Sequence, residues 1–319
     1  MKPLLSIIVP VYNGSNTISS CIEHLEKLDY PKENYEILIV DNNSDDNTKD
    51  IIQKYNVTYL FEKKKGPAAA RNFGVKNAKG DILGFVDADC LVQENWANEI
   101  ESFMISRTAS VVIGFCDHTI NNITGEMYAH DYRKDWERRS ISADKVSAIA
   151  AANFAIKRKL FLELGGFDEN FLALEDIELG FRIIKNRYSI AFNQDLKVKH
   201  LYCDSLDVRI YKVCNYGFYE YLIFKKYRDY PDIKLLMPSF QRAYFRVLDK
   251  IHNKYIIRGI LIILQINIKF SLFFLKTLLN HNIRNYFFYK TVLTLSIFKG
   301  KLLALLNFMG RQGGIGTCE

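Results

Sequence analysis

Ile82-Leu83-Gly84-Phe85-Val86-Asp87-Ala88-Asp89 is the stretch on which the reading of this 319-residue chain turns. An unbroken apolar run of this length is the mark of a strand buried on both faces, and two carboxylates one residue apart follow at its end. Upstream, residues 6–9, 37–40 and 57–61 read as strands of the same kind. Residues 17–28, 48–55 and 68–76 read as helices, the first two opened by Thr17 and Thr48 as N-caps. This alternation predicts a parallel sheet wound with helices. Ligands of such sheets bind outside the carboxyl ends of the strands. Three of those ends are polar: Tyr12-Asn13 after the first strand, Asp41-Asn42-Asn43-Ser44 after the second and Asp87-Ala88-Asp89 after the fourth. One edge therefore gathers two acidic clusters.

Further along, the pattern loosens. Residues 111–115 read as a strand, a polar stretch runs through Arg139, and residues 148–156 are again apolar. Gly165-Gly166-Phe167-Asp168-Glu169 is a turn, after which Glu175-Asp176 open an amphipathic helix with Ile177, Phe181 and Ile184 as its apolar face. A short strand at 196–199 delivers His200. From about residue 204 the chain is helical, aromatic and basic, so two domains are expected, 1–204 and 205–319. There is no internal repeat, and Lys63-Lys64-Lys65 reads as a solvated loop.

With 49% hydrophobic and 25% charged residues the composition is that of an ordinary globular protein, which excludes a disordered chain, a collagen-like repeat and a stapled mini-protein. The cysteines, Cys21, Cys90, Cys116, Cys203, Cys214 and Cys318, are scattered without a C-x-x-C pair, so neither a thiolate zinc site nor a disulfide scaffold is expected and a reducing compartment fits. The net charge of +7 is uneven: residues 241–319 hold 12 Lys/Arg against Asp249 and Glu319, whereas residues 1–240 hold 31 against 34 acidic residues. A basic tail this rich in Leu, Ile and Phe suits an anionic membrane surface better than nucleic acid. Pro10 ends the apolar run at 4–9 and no small-residue cleavage site follows, so the run is a first strand and not a signal peptide. Residues 256–275 and 286–306 are the longest apolar segments, but Arg258, Gln265, Asn267 and Lys269 interrupt one and Lys290, Lys299 and Lys301 the other. They read as interfacial amphipathic helices and not as spans.

Two carboxylates at a strand end can divide labour, one toward a divalent cation and one toward a ribose hydroxyl or a water, because hard cations take oxygen ligands alongside substrate phosphates. D-x-D alone is also an ordinary acidic turn; its company decides. Ser6-Ile7-Ile8-Val9-Pro10-Val11-Tyr12-Asn13, Asp41-Asn42-Asn43-Ser44-Asp45-Asp46, Gly66-Pro67-Ala68-Ala69-Ala70-Arg71-Asn72 and Asp87-Ala88-Asp89 come in order. Gly165-Gly166-Phe167-Asp168-Glu169, Glu175-Asp176-Ile177-Glu178-Leu179 and His200 follow. Over roughly residues 4–200 this ordered set resembles the family 2 glycosyltransferases, inverting enzymes that use nucleotide sugars and have the α/β GT-A fold.

The resemblance implies roles. Pro10, Tyr12, Asn13 and Asp41 would hold the nucleoside, Tyr12 against the base and Asp41 accepting from a base N–H, which uracil and thymine offer and cytosine does not. Arg71 would meet the diphosphate with its planar fork, Asp87 and Ala88 would complete the donor site, and Asp89 and His200 would share Mn²⁺ or Mg²⁺. Asp176 would be the general base that takes the acceptor hydroxyl proton, with Glu175 as its neighbouring alternative. Processive relatives usually carry Gln-x-x-Arg-Trp on a C-terminal helix; Gln241-Arg242-Ala243-Tyr244-Phe245 lacks the Arg-Trp, so a single addition is expected.

The expectation is a metal-dependent inverting transferase that moves one sugar from a nucleoside diphosphate, a UDP-sugar, to a hydroxyl of a lipid-linked or surface glycan. It would act in the cytoplasm, peripherally on the inner face of the cell membrane; self-association is left open. Two rivals stand beside it. A nucleotidyltransferase of related sheet would need a basic Gly-rich loop where Tyr12-Asn13-Gly14 stands, and a silent scaffold would not need Asp87, Asp89, Asp176 and His200 together.

Overall fold

The computed structural model describes residues 5–106, 109–118, 149–201, 206–230, 254–277 and 291–303. The stretch around Arg139, residues 241–245, Cys203, Cys318, and 286–290 and 304–306 of the second apolar segment lie outside the described residues. The chain divides into two compact units, Met1–Cys203 and Asp204–Glu319.

The first unit is built on one eight-stranded sheet. In chain order its elements are β1 (Leu5–Val11), α1 (Ile18–Glu26), β2 (Tyr35–Asp41), α2 (Thr48–Ile52), β3 (Thr58–Phe61), α3 (Pro67–Asn77) and β4 (Ile82–Val86). They continue with β5 (Cys90–Val92), α4 (Trp96–Ser106), β6 (Val111–His118), β7 (Asn153–Lys157), α5 (Arg158–Glu163), α6 (Glu175–Lys185) and β8 (Ala191–His200). The spatial order is β3-β2-β1-β4-β7-β6-β8-β5.

Strand β1 shows how the sheet is made. Ile7 and Val9 enter one core cluster with Ile18, Cys21, Ile22 and Leu25 of α1 and Trp96 and Ile100 of α4. Ile8 points the other way, into a cluster with Ala70 and Val75 of α3, Phe161 of α5 and Leu179 and Ile183 of α6. The two-residue period of a strand thus feeds two cores, which is why the run is apolar without interruption. Burying each Ile or Phe fully contributes about 1.5–3 kcal/mol. Phe85 anchors the second core, stacked on Phe154 at 4.7 Å and met edge-on by Phe167 at 5.4 Å.

Several expectations need correction. The sheet is mixed, with only a bare majority of its pairs parallel: β1·β2, β1·β4, β2·β3 and β6·β8 are parallel, but β4·β7, β6·β7 and β5·β8 are antiparallel. An apolar period reports burial and carries no strand direction, so the reversals after residue 110 are not legible in it. Thr17 occupies the N-cap of α1 without a side-chain cap bond, and the N-cap of α2 is Asn47. Thr48 instead accepts from Gly14 N–H and bonds Asp46, tying two loops together. The buried face of α6 is Glu175, Glu178, Leu179, Gly180, Phe181 and Ile183; of the expected apolar face Phe181 is fully buried, Ile184 packs partly covered against the second core and Ile177 is only half-buried. The reason is the Glu178 carboxylate, which Arg182 grips through Nε and Nη2, the latter at 2.6 Å, so that a charged residue can turn inward. Cys214 is disulfide-bonded, which sequence spacing could not show because pairing follows distance in the fold. Cys21, Cys90 and Cys116 are free thiols.

Strand β8 is ten residues long, not four, and reaches the acidic edge because of a register shift where β6 passes from Gly114 to Phe115. Asn153, fully buried, holds that shift. Its Nδ2 donates to the Phe115 carbonyl at 3.1 Å and the Leu196 carbonyl at 2.8 Å, and its Oδ1 accepts from Trp96 Nε1 at 2.9 Å. A Cβ at Gly114 would collide with the Leu196 carbonyl, so glycine is what lets the strands approach.

The second unit contributes α7 (Leu206–Tyr227), α8 (Lys254–Thr277) and a further helix, α9, at 291–303. Among the described residues no helix is long and apolar enough to cross a membrane. Helix α8 leaves Ile262, Ile263 and Ile266 exposed at 63%, 60% and 62%, an apolar stripe on one side of the helix.

Candidate active site

Strands β2, β1 and β4 are parallel neighbours, so their carboxyl ends lie side by side and the three polar strand ends meet, as the sequence requires of one edge. The loops after β1 and β2 are bolted together. Asn13, held at φ 51°, donates its N–H to Ser44 Oγ at 2.9 Å and accepts from Asp45 N–H at 2.9 Å. Ser15 N–H donates to Asp46 Oδ2 at 3.1 Å. Burial works against the Asp46 charge, but the bonds from Thr48 and Ser15 prevail and hold its carboxyl down at about 2. On this platform Pro10 is partly covered and Tyr12 stands 56% exposed, an aromatic face presented outward.

Asp41 lies beneath it, almost wholly buried. Its Oδ1 accepts from Ser44 N–H and its Oδ2 from the Tyr59 hydroxyl, both at 2.9 Å. Burial, with Asp41 beside it, pushes the Tyr59 hydroxyl up to about 12, so it stays a donor. Asn42 fastens the loop that leads to α3, donating to the Glu62 and Lys64 carbonyls and accepting from Gly66 N–H.

Arg71 is where the structure departs most from the expected picture. It is 4% exposed and sits between two carboxylates, with Nη2 2.6 Å from Asp87 Oδ1 and Nη1 2.5 Å from Glu175 Oε1. Its guanidinium lies over the Phe167 ring at 5.6 Å, and its buried Nε has no acceptor among the described residues. Asn72, next in line on α3, reads the backbone of Phe167 from both sides: Nδ2 donates to its carbonyl and Oδ1 accepts from its N–H, each at 2.9 Å. Gly165 and Gly166, at φ 84° and 73°, make the left-handed turn that offers this backbone. The Gly-Gly-Phe motif is therefore a clasp between α3 and α6.

Helix α6 begins at the site. Its N-cap, Leu174, is in the left-handed region at φ 60°, an uncommon place for a branched side chain and one that marks functional sites. Glu175 points inward to Arg71. Asp176 is half-buried, with Oδ2 accepting from Ala151 N–H at 2.9 Å and Oδ1 from Ile177 N–H at 2.7 Å. Burial pushes the Glu175 carboxyl up to about 7 against the pull of Arg71, and Asp176 adds to the rise. Burial likewise raises Asp176, opposed by the Ala151 bond and by Arg71.

Asp89 and His200 end up together, as expected: His200 is the last residue of β8, and its Nε2 is 3.4 Å from Asp89 Oδ1. The group is larger than the sequence reading had it. Asp89, Cys90 and His200 each place a donor atom within 4.8 Å of the others, a set that fits a divalent ion. Ala88 packs against the first core, and burial holds the Cys90 thiol well above its usual range. Sequence reasoning missed Tyr59, Asn153 and Cys90. Of these only Cys90, directly after the acidic pair, carried any local signal.

Residues 6–165, half of the chain, match the sequence family described as Glycosyl transferase family 2. The chain belongs to that family. Among curated relatives, this chain is 28% identical over 200 residues to the glycosyltransferase AglE of Haloferax volcanii, covering 61% of this chain and 66% of that protein. It is also 28% identical over 255 residues to the dolichyl N-acetyl-alpha-D-glucosaminyl phosphate 3-beta-D-2,3-diacetamido-2,3-dideoxy-beta-D-glucuronosyltransferase of Methanococcus voltae, covering 73% and 77%. Other relatives are spanned less fully, the Bacillus subtilis protein YdaM over 49% of its length. Among solved structures, the mannosyltransferase PcManGT of Pyrobaculum calidifontis, in complex with GDP-Man and Mn²⁺, is similar with a TM-score of 0.63 at 18% identity over 96% of this chain and 88% of that one. Staphylococcus aureus TarS in complex with UDP-GlcNAc gives 0.53 at 18% identity over 66% of each chain. The family 2 domain thus has a GT-A-like α/β fold with a mixed sheet.

Proposed function

We propose that this chain transfers a single sugar from a nucleoside diphosphate sugar, a UDP-sugar, to a hydroxyl of a lipid-linked glycan, with inversion and with Mn²⁺ or Mg²⁺ bound. The observation that carries the reading is the convergence of Asp87, Asp89, Arg71, Glu175, Asp176 and His200 at one sheet edge beside the exposed Tyr12. Bound there by Asp89 and His200, a divalent ion would neutralise charge on the departing nucleoside diphosphate. Tyr12 stacks on the base, and Asp41 offers a remaining lone pair to a base N–H. Asp87 and the Ala88 backbone hold the ribose side of the donor.

Asp176 takes the acceptor hydroxyl proton as the oxygen attacks the anomeric carbon from the face opposite the diphosphate. Two backbone N–H groups orient its carboxylate, and the start of α6 favours its charge through the helix dipole. Its raised pKa makes it a better base than a surface aspartate. Glu175 is spent on Arg71, so the geometry favours Asp176 within the pair. In this reading Arg71 is a strut between the donor carboxylate Asp87 and the base-bearing helix, not the diphosphate contact expected from the sequence.

The lipid-linked acceptor draws support from the Methanococcus voltae relative, whose name specifies a dolichyl phosphate-linked acceptor. It also fits the exposed isoleucines of α8 and the basic tail, which suit the inner face of the cell membrane. Incubation with a panel of UDP-, GDP- and dTDP-sugars, with mass spectrometry of released nucleotide, tests the reading. Release of UDP, lost in Asp176→Asn, is expected. Release of GDP alone, as the Pyrobaculum neighbour's ligand would suggest, corrects the base, and formation of sugar 1-phosphate and nucleoside triphosphate on addition of pyrophosphate instead favours nucleotidyl transfer.

A further inference from the structure

Cys90 opens β5 one residue beyond Asp89 and lies directly opposite His200 in the antiparallel β5·β8 pair. Residues so paired project their side chains from the same face of the sheet. Asp89 Oδ1 is 3.9 Å from Cys90 Sγ and 3.4 Å from His200 Nε2. An ion held tetrahedrally, at about 2.0 Å from N and O and about 2.3 Å from S, keeps its donors roughly 3.3–3.5 Å apart. The two distances from Asp89 therefore need to close by only a few tenths of an ångström around such an ion, and the Cys90 and His200 donors lie within 4.8 Å of each other. Side-chain exposures of 37% for Asp89 and 20% for His200 leave a side open for a water or phosphate oxygen as fourth ligand. Mg²⁺ and Mn²⁺ draw on the oxygen and imidazole donors and gain little from sulfur, whereas a borderline-soft ion gains a great deal.

We infer that Asp89, Cys90 and His200 form a three-ligand site for a thiophilic divalent ion, Zn²⁺ above all, with Cys90 Sγ bound as the thiolate and its proton released to solvent. The inference rests on the reading of Asp89 and His200 as metal ligands, and it adds that Zn²⁺ displaces the harder ion and blocks the donor site.

Co²⁺ is the probe, because a cobalt–thiolate bond absorbs by charge transfer in the near ultraviolet where oxygen and nitrogen ligands do not. The full-length chain titrated with Co²⁺ should show that band, and Zn²⁺ should abolish it. Cys90→Ser should lose the band and weaken Zn²⁺ binding by at least roughly 100-fold, the upper end of what loss of a mere supporting partner costs. Mn²⁺ binding followed by electron paramagnetic resonance should move less than tenfold. Cys21→Ser and Cys116→Ser should keep the band. X-ray absorption of the Zn²⁺-loaded wild-type chain needs no variant and should find one sulfur ligand; none overturns the proposal. It is also overturned by a band that survives Cys90→Ser, or by Zn²⁺ affinity equal in the two proteins. If Mn²⁺ and UDP bind while Co²⁺ gives no thiolate band, the thiophilic site fails and the transferase reading stands. If neither metal binds, both fail.

Discussion

Arg71 is the cation on which the carboxylates of the site converge, and its role is open to direct test. Removing one partner of a buried ion pair costs about 3–5 kcal/mol. Arg71→Met should therefore lower the melting temperature markedly, with Arg71→Lys in between, whereas a residue that only met the donor diphosphate would lower donor affinity and leave the melting temperature alone. Asp176→Asn keeps the shape and removes the proton acceptor. Donor binding by calorimetry should survive while transfer falls by about 10²- to 10⁴-fold; if Glu175→Gln is the more damaging change for turnover, the assignment within the pair is reversed. The pH behaviour follows from the raised carboxyls. Transfer should decline on acidification at a pH above the ordinary aspartate value, as the raised Asp176 gains a proton. Stability moves in the opposite sense. Glu175 rises from 4.5 to about 7 on folding, so the native state holds a proton that the unfolded chain has released. Its contribution is full below pH 4.5 and is lost as pH rises through about 7. The melting temperature of wild type relative to Glu175→Gln should therefore fall across that window, and a flat difference would contradict the shift.

At the scale of elements, the site depends on two joints far apart in sequence. One is the Gly165-Gly166-Phe167 turn clasped by Asn72, which sets where α6 begins. The other is Asn153, which supports the register shift that carries β8 to the acidic edge. Asn153→Ala would remove the acceptor of the buried Trp96 N–H and a donor to two strand carbonyls, at about 1–3 kcal/mol for each buried group left unpaired. The expected outcome is a chain destabilised by several kcal/mol whose Mn²⁺ affinity also drops, because His200 sits at the end of the strand that Asn153 supports. Loss of stability with unchanged metal affinity would show that the bond network serves packing alone.

For the whole molecule the question is how a basic, apolar tail meets its surroundings. Each Lys or Arg close to an anionic surface contributes about 1 kcal/mol, and that attraction weakens as salt shortens the ~8 Å Debye length. Insertion of side chains such as Ile262, Ile263 and Ile266 does not weaken that way. Sedimentation with anionic liposomes should therefore show binding that falls partly at high salt and leaves a resistant fraction. Equal binding to neutral and anionic vesicles would reject the electrostatic part, and no binding at all would make the tail a soluble helical subdomain.

What the sequence determined by itself is local. The apolar runs ending in Tyr12-Asn13, Asp41 and Asp87-Ala88-Asp89 specify buried strands with polar carboxyl ends, because burial on two faces imposes composition on each residue in turn. The ordered motifs specified the family. Only the tertiary structure decided that Arg71 is buried between Asp87 and Glu175, that Asn153 pins a shifted strand and that Cys90 faces His200. Each of these depends on which strands pair and in what direction. The alternation of apolar and polar residues records whether a side chain is buried, but not which distant segment covers it.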